Sequence, residues 1–97
     1  MEYIYVEWIH DFIDEALIII SELDENRFET RKIEIYKDGQ VGFAFNHVEV
    51  LNAGLGIVPF DEIASESEFS PKEITKEEFE KFWNDKVFWN DKVLPRL

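Results

Sequence analysis

Cysteine is absent, which excludes a disulfide framework, a thiol nucleophile and a cysteine-ligated zinc. No apolar run approaches the roughly 18 residues that a membrane span needs. The opening Met-Glu-Tyr-Ile-Tyr has no basic n-region, so no signal peptide is expected. Basic residues are scarce: 10 Lys and Arg face 22 Asp and Glu, for a formal net charge of -12. They are also clustered. Residues 1–26 and 38–71 contain no Lys or Arg, whereas Arg27, Arg31, Lys32 and Lys37 fall close together and the rest lie after residue 71. An anionic exterior repels phosphate backbones and anionic lipid, so neither nucleic acid nor membrane is an expected partner. A basic protein would instead be steered toward it, although acidity also serves solubility alone.

What is present suits one folded domain. The chain has 97 residues, 45% of them hydrophobic, enough to argue against disorder and to build one core. The expected location is cytoplasmic. Residues 3–10 are rich in aromatic and β-branched types and read as a strand. Ala16 to Glu22 is a short apolar run, expected to be a buried strand. Arg27 to Tyr36 reads as a third strand and Val41 to Asn46 as a fourth. Asp11–Asp14 and Asp24–Asn26 are expected turns. Asp38-Gly39 signals a tight hairpin with a primed turn. Leu51 to Ser70 reads as a loop with a helical turn at Asp61–Ser65. Thr75 and Glu78 match a capping box, with Ile74 and Phe79 placed as the hydrophobic staple. Phe79, Phe82, Trp83 and Val87 then form one helical face. Ser70-Pro71 offers a competing helix start. The expected fold is α+β: an antiparallel β-meander of about four strands, with a C-terminal helix packed on one face.

Phe82 to Val87 is repeated at once as Phe88 to Val93. Six residues turn a helix by about 600°, so the second Phe-Trp pair leaves the face of the first. The reading is a single domain over residues 1–87 and a duplicated, frayed tail over 88–97. The other reading is a hydrophobic contact for self-association.

Recognisable chemistry is sparse. His10 and His47 lack metal-ligand spacing, and no cofactor is expected. Gly54-Leu55-Gly56 is too short for a dinucleotide loop. No serine sits in a nucleophile elbow, so no enzyme is expected. Trp8 and His10 share a strand face, either as a pocket wall or as a hydrogen-bonded histidine near a sheet edge. Strict alternation puts Arg27, Glu29, Arg31, Ile33 and Ile35 on one face of the third strand. The charged end of that face is either an internal ion-pair network, with Glu22 and Asp24 as partners, or an arginine-lined concavity for an anion. The candidate ligand-binding residues are therefore Trp8, His10, Arg27, Glu29 and Arg31.

Trp8-x-His10, Ser21-Glu22-Leu23-Asp24-x-x-Arg27-x-Glu29-x-Arg31-Lys32-x-Glu34, Asp38-Gly39-x-x-Gly42, Leu55-Gly56-x-Val58-Pro59 and Glu78-Phe79-x-x-Phe82-Trp83 together resemble a family of small bacterial domains of unknown function. The resemblance covers about residues 1–87. It carries no established active site, and it implies a bacterial or phage origin. Two functions are expected to compete. One is a non-enzymatic acidic protein that neutralises a basic protein partner, in the manner of an immunity protein or inhibitor. The other is a small-molecule binder that uses Trp8, His10, Arg27 and Arg31 for an anionic metabolite or nucleotide.

Overall fold

The computed structural model describes residues 1–10, 15–46, 48–51, 53–56 and 69–93. Among these residues six strands form one antiparallel sheet: β1 (Glu2–Trp8), β2 (Ala16–Leu23), β3 (Glu29–Tyr36), β4 (Val41–Phe45), β5 (Val48–Val50) and β6 (Phe69–Glu73). Their order is β5-β4-β3-β2-β1-β6. The first five form a meander, and β6 returns to pair with the outer edge of β1. A helix, α1 (Lys76–Val93), follows β6.

The expected α+β class is thus observed, but the count of about four strands is corrected to six among the described residues. β5 follows Asn46, whose φ of 52° turns the chain back, a conformation asparagine tolerates. β6 is not among the expected strands: its first two residues fall at the end of the expected loop, and Ser70-Pro71 in the competing helix start. A strand at the sheet's edge accepts a residue with no N–H to donate. The competing helix start at Ser70-Pro71 is excluded, since those residues lie in β6. The expected turns at Asp11–Asp14 and Asp61–Ser65, and His47, lie outside the described residues.

The hairpin at Asp38-Gly39 is present, but its turn is a longer form than expected. Gly39 N–H donates to Tyr36 O at 3.0 Å, and Tyr36 N–H donates to Gln40 O at 3.0 Å. Gly39 has a φ of 85°, while Asp38 is not in the positive-φ region. That is the loop of a turn followed by one left-handed residue, not a two-residue primed turn. Asp38 Oδ1 accepts the Gln40 N–H at 3.0 Å and stiffens it. The β2–β3 turn is built the same way. Arg27 N–H donates to Asp24 O at 3.0 Å, and Arg27 takes the left-handed place with a φ of 63°. Asp24 Oδ1 accepts from both Asn26 N–H and Phe28 N–H.

The helix starts as the capping box requires. Glu78 N–H donates to Thr75 Oγ1 at 3.1 Å, and Thr75 N–H donates to Glu78 Oε1 at 2.9 Å. Phe79 is fully buried with Tyr3, Ile20, Ile33 and Val41, and Ile74, Phe82 and Trp83 pack around them. Phe79 meets Tyr3 at 5.1 Å and Phe82 meets Tyr5 at 5.8 Å, both over β1. Trp83 reaches β4, with Phe45 at 5.4 Å. The helix therefore lies over β1–β4. The opposite face of the sheet buries Ile4, Val6 and Leu23, with Phe69 against them.

Candidate functional site

Strict alternation fails in β3, and this decides where the charged residues go. Glu22 pairs with Arg31, but the next residue, Leu23, pairs with Glu29. Thr30 is therefore the extra residue of a β-bulge, and its hydroxyl donates to Glu22 Oε1 at 2.7 Å. A bulge shifts the alternation by one residue. Arg31 stays on the helix side with Ile33 and Ile35, whereas Glu29 turns to the opposite side. The expectation that Arg27, Glu29 and Arg31 share a face is corrected on this ground.

On the helix side, Arg31 forms two bidentate bridges. Its Nε and Nη2 donate to Glu22 at 2.9 and 2.7 Å. Its Nη1 and Nη2 donate to Glu80 of α1 at 3.0 and 2.8 Å. These bonds engage four of the five N–H donors a guanidinium carries. The Arg31 guanidinium carbon lies 4.8 Å from the Phe79 ring centre and 5.1 Å from that of Trp83. The Arg31 hydrogen bonds bring the Glu22 carboxyl down to about 2 against the desolvation of its site, with Thr30 and Tyr3 assisting. Arg31 hydrogen bonding also lowers the Glu80 carboxyl. The Arg31 guanidinium is raised, first by Glu22 and then by Glu80. Burial, and then Glu22, push the Tyr3 hydroxyl up.

The opposite side holds a second network. Buried Glu29 accepts from the Ser21 hydroxyl at 2.7 Å and from Gly56 N–H at 3.0 Å. Lys32 Nζ lies 3.4 Å from Glu29 and 3.5 Å from Glu34. The Tyr36 hydroxyl donates to Glu34 at 3.0 Å. Burial first, and then Glu34, raise the Tyr36 hydroxyl to about 12. Ser21 is fully buried, so its hydroxyl positions a carboxylate rather than facing a substrate.

The other expected residues lie apart. Arg27 Nη1 donates to Glu2 Oε1 at 2.6 Å, at the start of β1. Trp8 ends that strand, roughly 20 Å away at about 3.3 Å per residue. There Trp8 meets His10 edge-on at 4.3 Å and stacks on Phe69 at 5.5 Å. His10 Nε2 lies 2.7 Å from Ala16 O, so the histidine is hydrogen-bonded, but it follows β1, which lies between β2 and β6 rather than at the sheet's edge. Trp8 and His10 meet, but Arg27, Glu29 and Arg31 join neither them nor each other. Of the two carboxylates expected as partners, Glu22 bridges Arg31, while Asp24 caps the turn. Glu80 was not anticipated as a partner. Its signal was its place on α1 directly beside Phe79, at the border of the apolar face. Among the described residues, no group of three or more His, Asp or Glu is placed to hold a metal. Among the same residues, no helix is long and apolar enough to cross a membrane.

An antiparallel sheet with one C-terminal helix on a face, joined by an arginine held between two carboxylates, places this chain among α+β proteins. The family follows from the sequence: the model of a domain of unknown function, DUF6881, matches residues 2–88, and the chain belongs to that family. No curated protein and no solved structure matches the chain.

Proposed function

We propose that this is a non-enzymatic, cytoplasmic acidic protein of bacterial or phage origin that binds a basic protein partner, in the manner of an immunity protein or inhibitor. One observation carries the reading: the basic side chains of residues 27–32 point into the fold's own ion pairs. Arg27 meets Glu2, Arg31 meets Glu22 and Glu80, and Lys32 meets Glu29 and Glu34. Glu7, Glu15, Glu25, Glu49, Glu73 and Glu77 are meanwhile exposed, alongside Lys37, Lys72, Lys76 and Lys81. Internal neutralisation of this kind leaves a surface dominated by one sign, which speeds encounter with a partner of the other sign.

The anion-binding alternative has less support. Arg31 has one donor left for a ligand, and Arg27 lies a strand's length from Trp8 and His10. The test is a pull-down from the native host with the tagged full chain, at low and at physiological salt. The expected result is one recurrent basic protein, held more weakly as salt rises. Recovery of no basic protein at either salt would overturn the reading.

A further inference from the structure

We infer that the edge formed by β5 is the docking edge for the basic partner, and that it receives an extended segment in which apolar and basic residues alternate. This rests on the binding function proposed above and names where and how it is exercised.

α1 lies over β1–β4 and, among the described residues, does not extend over β5 or β6. Two shelves on the helix side of the sheet are left beside it, and they differ. On the β6 side the register pairs Glu7 with Ser70 and Tyr5 with Lys72. That shelf is polar, the Lys72 ammonium sits 5.3 Å from the Tyr5 ring centre, and Pro71 interrupts the edge. Proline and lysine are the usual guards of an edge strand. On the β5 side the register pairs Phe45 with Val48 and Phe43 with Val50. Val48 is 43% exposed. That edge has no proline and no lysine, and its shelf continues the aromatic row of Phe43, Phe45 and Trp83.

Charge selects the occupant. Glu49, exposed, lies between the two valines and on the other face of the sheet. A second copy pairing two-fold in register through β5 would set Glu49 opposite Glu49, and like charges directly opposed are unfavourable. A strand with Lys or Arg opposite Glu49 and apolar residues over Val48 and Val50 satisfies both faces. Main-chain hydrogen bonds would supply affinity and the alternating side chains specificity.

The experiment titrates the isotope-labelled full chain with the capped peptide Val-Lys-Val-Arg-Val and with its counterpart Val-Glu-Val-Glu-Val, at low salt, following amide resonances. The basic peptide is expected to shift the amides of residues 48–51 and the acidic one to shift nothing. Glu49→Lys should weaken the basic peptide about tenfold, because attraction becomes repulsion. Glu25→Lys, the same change of charge at the β2–β3 turn, should weaken it less than about twofold. Binding mapped to β6 or α1, or equal losses in the two variants, would overturn the docking edge while leaving an acidic binding protein. No binding of the basic peptide at low salt would overturn both. A concentration-dependent dimer with the same β5 shifts would replace the basic partner by a second copy.

Discussion

Arg31 holds the carboxylates of Glu22 and Glu80 at once. Its loss would leave Glu22, whose side chain is 9% exposed, without its cation. Breaking such a pair from one side is costly, so Arg31→Ala should lower unfolding free energy by about 2–4 kcal/mol. Glu80 is 34% exposed, and its bridge is screened by solvent. Glu80→Gln should therefore cost at most about 1 kcal/mol. Urea denaturation of the two variants checks the ordering, and equal losses would contradict it. The pH dependence has a definite sign. Glu22 titrates near 4.5 in its ordinary state and at about 2 when folded. Its contribution is complete above 4.5 and is lost as pH falls toward 2. Stability of the native chain should fall through that window, and Arg31→Ala should flatten the fall. The Glu22–Arg31 pairing was legible in the sequence because opposite charges faced each other across a short turn. The separation of Glu29 from Arg31 was not legible, because nothing in the residues from Arg27 to Ile33 marks Thr30 as a bulge.

At the scale of elements, legibility follows whether a signal is local. The Thr75–Glu78 cap and the spacing of Phe79, Phe82 and Trp83 are complete within a few residues, and α1 begins where they say. β6 is recognisable only from its pairing with β1, because Pro71 argues locally against a strand. Two substitutions test the joints. A Cβ on Gly42 would stand 2.8 Å from Val50 O and 3.1 Å from Leu51 Cβ. Gly42→Ala must therefore displace the end of β5, and it should cost about 1–3 kcal/mol with amide shifts concentrated at residues 48–51. Unchanged stability and spectra would show that the end of β5 has room to move. Phe79 is fully buried between α1 and the sheet. Phe79→Ala should cost about 3–5 kcal/mol by thermal or urea unfolding. A loss below about 1 kcal/mol would mean that the helix is not held by this contact.

At the scale of the molecule, the scarcity of basic residues becomes an arrangement rather than a composition. Arg27, Arg31 and Lys32 are directed into ion pairs on both faces of one sheet, and the carboxylates left outside stand with the exposed Lys37, Lys72, Lys76 and Lys81. The candidate ligand pocket drawn from Trp8, His10, Arg27, Glu29 and Arg31 was the least legible feature. Its members are near in the sequence pattern but are separated by the length of β1 and by the thickness of the sheet. Under the proposed function, arginines hold the fold and carboxylates meet the partner. Calorimetric titration of the full chain, with oligolysine in one run and inorganic polyphosphate in another, tests it most directly. Heat with oligolysine that diminishes as salt is added, and none with polyphosphate, is the predicted result. Saturable binding of polyphosphate that Arg31→Ala abolishes would contradict it.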